Sequence, residues 1–171
     1  MTPRTRSRLG IALASACGVA ALAFAAFASP RLRLIYNASA SEPVGWYRIA
    51  PAAALRAGDL VLMRLPADAA ALADRRGYLP SRVPLLKRVG AVARQHVCVR
   101  GGVVRIDGVQ VAVALRADRL QRPLPQWRQC RRLAEGELFL LSNVHPASFD
   151  SRYYGPVPLA DVIGRARPVR R

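Results

Sequence analysis

Lysine is all but missing from this chain. Of 27 basic residues in a sequence of 171, only Lys87 is a lysine and the rest are arginine. Acids are scarce too, 10 in all, and the formal net charge is +17. Three cysteines and two histidines are too few for a zinc-finger array or a dense disulfide scaffold. There are no internal repeats, and the one low-complexity tract is an alanine-rich span near the start. What is present is apolar, 52% hydrophobic against 22% charged. That balance excludes a disordered tail. The length suits one domain able to bury a core. A mean hydropathy of +0.12 is high for a soluble protein and points to a segment held in lipid.

That segment lies at the start. Residues 1–8 carry Arg4, Arg6 and Arg8 and no acid, and Leu9 to Ser29 then runs without a single charge. About 20 apolar residues cross a bilayer as a helix, and arginines ahead of them hold the cytoplasmic side. Arg31 and Arg33 follow closely, so the charge bias is mild. Ala26-Phe27-Ala28 offers small residues that a signal peptidase accepts, so a cleaved leader and a retained anchor both stay open. The reading adopted is a basic cytoplasmic tail (1–8), a single-pass anchor in the inner membrane (9–29) and a periplasmic domain (30–171). In that oxidising compartment Cys98 and Cys130 read as a disulfide, with two buried free thiols as the alternative. Cys17 lies in the apolar span. Two cysteines without paired histidines make a poor metal site, and no metal or cofactor is expected.

Beyond residue 30 short strands dominate. Leu60 to Met63 after the Gly58-Asp59 turn and Leu138 to Leu141 read as buried strands, and Val83 to Val92 is apolar around Lys87 and Arg88. Arg31 to Tyr36, Val44 to Ile49 and Val97 to Val99 are shorter candidates, and Val162 onward is a last one. Asp68 to Arg76 reads as the one short helix, ended at Gly77 with Pro80 beyond. Val103–Ile106 and Val109–Val111 flank Asp107-Gly108, the dipeptide of a type I′ hairpin. Residues 114–136 are arginine-rich, with Pro123, Pro125 and Trp127, and read as an irregular excursion tethered by Cys130. The fold class is a mostly-β domain with one short helix, preceded by a transmembrane helix.

Arginine stays protonated at any workable pH and cannot act as a general base. Lysine can, once burial strips water from its ammonium. Lys87 sits in Pro84-Leu85-Leu86-Lys87-Arg88-Val89-Gly90, among apolar neighbours, where a neutral amine can be made. Taken alone, one lysine left on a strand by codon bias is the better explanation. Near the membrane exit stands Asn37-Ala38-Ser39-Ala40-Ser41-Glu42-Pro43-Val44-Gly45-Trp46-Tyr47. Two serines two apart in an extended segment face the same side. One can attack while the other donates to the developing oxyanion. Further on comes Ser148-Phe149-Asp150-Ser151-Arg152-Tyr153-Tyr154-Gly155-Pro156-Val157. Each motif by itself reads as a polar turn.

In this order the motifs resemble the bacterial type I signal peptidases, and within them the conjugation branch, the TraF-type peptidases of plasmid transfer systems. Ser-x-Ser-x-Pro, Lys-Arg-Val and Ser-x-Asp-Ser-Arg-Tyr carry the likeness, from about residue 10 to 168. The cysteine pair, Arg122-Pro123-Leu124-Pro125 and Gly136 to Ser142 also fit it. The resemblance implies a signal-peptidase-like coiled β-sheet fold and gives each residue a role. Ser41 is the nucleophile and Lys87 the general base. Ser39 is the oxyanion donor, and Ser148 orients the lysine amine. Asp150 fixes the local structure through Arg152 and counts among the catalytically important residues of that branch. Chemistry then runs through an acyl-enzyme to water, or to the substrate's own N-terminus to give a ring. The implied partners are an exported pre-pilin or other pre-protein, membrane lipid and conjugative transfer machinery.

This chain departs from the housekeeping enzymes in places. Pro43 is one position closer to the serine, and Ala93-Arg94-Gln95 replaces a familiar turn. Ser142-Asn143-Val144-His145 stands where those enzymes carry a Gly-Asp-Asn-Arg box. Other readings compete. A Ser41–His145–Asp150 triad is awkward, because His145 precedes Pro146 and lies five residues from Asp150. His96 reads as a core or surface residue. A basic non-enzymatic component binding nucleic acid or anionic lipid fits the charge of +17. The arginines are scattered, however, with few aromatics between them, so nucleic acid is not an obligatory partner. A repressor-cleaving protease shares the serine–lysine pair, but the apolar span argues against it.

Overall fold

A computed structural model describes residues 3–27 and 34–169. The chain divides into two units, an N-terminal helix and a β domain. Helix α1 runs Pro3–Phe27. Its large apolar side chains Leu13, Val19, Leu22 and Phe24 are exposed. Among the described residues no helix is long and apolar enough to cross a membrane. Ala28, Ser29 and the expected start of the domain at 30–33 lie outside the described residues.

The β domain holds two antiparallel sheets. The larger is built from β1 (Leu34–Asn37), β2 (Gly45–Ala50), β3 (Leu60–Met63), β4 (Leu85–Ala91), β9 (Glu137–Leu141), β10 (Val157–Pro158) and β11 (Val162–Pro168). Their order is β1-β2-β11-β3-β4-β9-β10. The smaller contains β5 (His96–Arg100), β6 (Val103–Ile106), β7 (Val109–Val113) and β8 (Cys130–Arg132), in the order β7-β6-β5-β8. Asp107 and Gly108 both take positive φ, as the hairpin turn between β6 and β7 requires. Helix α2 (Ala67–Arg75) ends before Gly77, at φ +68, close to the expected span.

The core has three apolar clusters. Tyr47, Ile49, Leu60, Leu62, Leu86 and Ala166 fill one. Val61, Met63, Val89, Leu138, Leu140 and Val157 fill a second. The third joins Ala91, Phe139 and Leu141 of the large sheet to Val97, Val99, Val104 and Ile106 of the small one. Val89 and Ala91 would share a face in a regular strand. A register shift at Gly90 sends them to different clusters. A Cβ there would lie 3.0 Å from Leu141 Cδ1 and 3.2 Å from the Phe139 carbonyl, so a side chain at this point would press on β9.

The mostly-β class is as expected, but the single short helix is not. A one-turn helix α3 (Ser151–Tyr154) follows the second motif, capped by Asp150, whose side chain accepts from the Arg152 amide. Four residues are too few to show a 3.6-residue period in sequence. Cys98 and Cys130 pair across β5 and β8 and form a disulfide. Residues 114–129 are irregular, with one isolated bridge, Ala117 to Pro123. On the chain-entropy model a link across 32 positions is worth about 3–4 kcal/mol. A Cys98→Ser/Cys130→Ser variant is expected to lose about that much stability in urea unfolding. The wild type should lose a similar amount in reductant, and an unchanged midpoint would refute the estimate.

Candidate active site

Lys87 stands in the middle of β4, opposite Val61 of β3. On its other side β9 pairs with β4 only from Arg88 onward, so Lys87 marks the point where the sheet opens. The side chain is 4% exposed. Its Nζ donates to Ser148 Oγ. Burial pulls the amine down from its ordinary 10.5 to about 8. The Arg152 charge pulls the same way, while Asp150 and Glu42 oppose it.

Ser148 is itself fixed. Arg152, 1% exposed, satisfies every donor of its guanidinium. Nε bonds Asp150 Oδ1 and Nη2 bonds Asp150 Oδ2, both at 2.8 Å. Nη2 also reaches the Ser148 carbonyl at 2.9 Å. Nη1 takes the carbonyls of Pro146 at 2.8 Å and Val113 at 2.9 Å. Asp150 is fully buried and also accepts the Ser142 amide at 3.1 Å. The charged pair therefore shapes the loop that presents the Ser148 hydroxyl.

The serine motif sits between β1 and β2. Sequence alternation placed Ser39 and Ser41 in an extended segment, but the chain turns there. Asn37 causes the turn, because its Nδ2 donates to the carbonyls of Ser39, Glu42 and Pro43 at 2.9 Å, 3.0 Å and 3.1 Å. Its Oδ1 accepts the Ser39 amide at 3.1 Å. The two serine hydroxyls still meet, 3.0 Å apart, and the Ser41 amide donates to Ser39 Oγ at 3.2 Å. Ser142 Oγ donates to the Ser41 carbonyl at 2.6 Å, tying the turn to the loop after β9.

Ser39, Ser41, Lys87 and Ser148 line one cleft of about 650 Å³ with mostly apolar walls, among them Leu86, Tyr78 and Phe149. Leu115 and Asp118 bring the 114–129 excursion to its edge. Asp118 is clipped there by Tyr78 and Arg122. Desolvation pushes its carboxyl up, but those bonds win and hold it well below the usual carboxylate range. His145 also lines the cleft but is exposed. Its Nδ1 accepts the Ala147 amide at 3.2 Å. Asp150 is committed to Arg152 and Ser142, so no hydrogen bond among the described residues joins His145 to Asp150.

Sequence reasoning gave no role to Asn37 or Ser142. Asn37 stood inside the quoted motif, and an Asx turn before a serine pair was its signal. Ser142 had no local signal, because its partner is 101 positions away.

The signal peptidase family, peptidase S26, matches this chain over residues 6–170. The chain belongs to the signal peptidase family, a membership that implies a serine peptidase. Its relatives narrow the branch. A probable conjugal transfer protein TraF of Sinorhizobium fredii is 35% identical over 94% of this chain and 87% of its own length. A plasmid transfer protein TraF of Escherichia coli is 32% identical over 89% of this chain and 90% of its own. A crystal structure of a signal peptidase I from Enterococcus faecalis superposes with a TM-score of 0.40 at 20% identity, covering 66% of this chain and 97% of that one.

As the chain's only lysine, Lys87 yields a single resonance after 13C-lysine labelling. Its midpoint is expected at about 8. A midpoint near 10.5 would mean a solvated amine. The same shift has a stability consequence. The folded midpoint lies below the unfolded one, so folding disfavours the charged amine. The penalty is full below pH 8, shrinks from there to about 10.5, and vanishes above. Its size is about 3 kcal/mol. Lys87→Met is therefore expected to raise the melting temperature at pH 7, with the advantage fading by about pH 10. A variant that melts lower at pH 7 would contradict this.

Proposed function

We propose that this chain is a membrane-anchored serine endopeptidase that matures an exported pre-protein, a pre-pilin of a conjugative system. The observation that carries the reading is one buried lysine amine, lowered to about 8, opening on the same cleft as a serine pair. The TraF relatives support the conjugative setting.

Ser41 Oγ attacks the carbonyl carbon that follows a small side chain of the substrate. The neutral Lys87 amine takes the hydroxyl proton with its lone pair while its N–H stays on Ser148. The oxyanion forms beside Ser39 Oγ and the Ser41 amide, which are already 3.2 Å apart. Lys87 then returns the proton to the leaving amine as the C–N bond breaks. The acyl-enzyme goes to water, or to the substrate's own amino terminus. Asp150 and Arg152 act as positioning residues through Ser148. The uncharged run Leu9 to Ser29 serves as the anchor in the inner membrane, with residues 30–171 in the periplasm. Confinement at the bilayer surface raises the local concentration of an emerging pre-protein.

Ser41→Ala and Lys87→Ala are each expected to lower turnover at least about 1000-fold, with His145→Ala within about twofold of wild type. Loss in the histidine variant with survival of the lysine variant would reverse the assignment. Acylation is expected to rise with pH through about 8 and then level, because the neutral amine is the active form. Mass spectrometry of pilin made beside wild type and Ser41→Ala tests the substrate. Cleavage only beside wild type is expected, and a product lighter by one further water is a ring. Unaltered processing beside Ser41→Ala would sink the proposal.

A further inference from the structure

Each partner of the proposed serine–lysine pair is followed by a charged residue, Glu42 after Ser41 and Arg88 after Lys87. These successors meet as well. Arg88 Nη2 donates to Glu42 Oε2 at 2.9 Å. Glu42 is 0% exposed, and its Oε1 has no partner among the described residues. Arg88 is the only side chain among them that bonds this buried carboxylate. Burial raises the Glu42 carboxyl although Arg88 and Lys87 oppose it. Glu42 is the buried member of the pair and Arg88 is 33% exposed, so losing the guanidinium would leave a buried carboxylate without a partner.

The placement matters more than the strength. Neighbours on a strand point to opposite faces, so Arg88 points away from Lys87, and it bonds Glu42 of the serine turn. Its Nη1 also reaches the Gly58 carbonyl at 3.3 Å, which steadies the guanidinium. Ser142 holds the Ser41 carbonyl. The turn is thus gripped at Ser41 and again one residue on.

We propose that the Glu42–Arg88 ion pair is a positioning clip, tying the nucleophile turn to the base strand one residue beyond each reacting side chain and so setting the separation of the Ser41 hydroxyl and the Lys87 amine. It rests on the Ser41/Lys87 reading. A misplacement of about 1 Å costs about 100-fold in rate, so a clip at this point acts on turnover more than on substrate affinity. The Glu42 charge also acts on Lys87 through space, in the same direction as Asp150 and against Arg152.

The test uses the full chain carrying 13C-lysine and a peptide with an alanine before its cleavage point. Glu42→Gln, Arg88→Gln and the double variant are compared. Each single change is expected to lower kcat about tenfold with KM within about twofold, and the double variant to lose little more than either. The lone Lys87 resonance is expected to titrate a few tenths of a pH unit lower in Glu42→Gln, because that negative charge is gone. Wild-type kcat in Glu42→Gln, losses that multiply in the double variant, or an unmoved Lys87 midpoint would each overturn the clip. If Arg88→Gln does not fold, Glu42→Gln still decides through kcat and the midpoint. The midpoint needs no turnover, so it separates failure of the clip from failure of the dyad, which Ser41→Ala tests alone.

Discussion

A lysine amine held out of water is the constraint around which this domain is arranged. Left in solvent, the amine stays protonated at neutral pH and has no lone pair to offer. Placed between β3 and the opening of the sheet at β9, it loses hydration and keeps one hydroxyl partner. Everything near it then has a definable task. Ser148 holds the amine, and Arg152 with Asp150 keeps Ser148 in place. The arrangement is unfavourable to folding at neutral pH and must be offset by packing elsewhere. Three apolar clusters and a disulfide supply that margin.

The site joins pieces far apart in the chain. The serine turn precedes β2, the lysine is on β4, and the orienting loop follows β9. Antiparallel pairing brings β4 beside both β3 and β9, which sets lysine and loop side by side. The serine turn arrives from the far edge of the sheet and needs ties of its own. Asn37 closes it, Ser142 holds its carbonyl, and the Tyr47 hydroxyl donates to the Pro43 carbonyl at 2.7 Å. The disulfide works one step further out. It anchors the end of the 114–129 excursion, whose Trp127 amide bonds the Arg152 carbonyl at 3.1 Å and whose indole lies 2.6 Å from where a Gly155 Cβ would be.

Much of this was legible because short-range rules governed it. Leu60 to Met63 is buried on both faces and reads as a strand from its unbroken apolar run. Asp107-Gly108 forces positive φ and so specifies its hairpin. Helix α2 is marked by its stop signals. The candidate residues were legible for a different reason, because their motifs resembled a family and were carried over as a set. What stayed hidden depends on contacts across the fold. The serine turn needed the Asn37 side chain to bend an alternating segment. Helix α3 exists because Asp150 caps a single turn. Glu42 meets Arg88 across 46 positions, and neither residue advertises the other.

Two cations lie buried within one network, and they differ in how their charge is met. Arg152 and Lys87 are 1% and 4% exposed. Arg152 is matched to a carboxylate through two bonds and to three carbonyls through the rest, so its charge is compensated and kept. Lys87 donates to one hydroxyl and meets no carboxylate within bonding distance among the described residues, so its charge is tolerated poorly. Exchanging them would fail in both directions. An arginine at 87 would never release its proton. A lysine at 152 could not span a bidentate carboxylate and three carbonyls with one nitrogen.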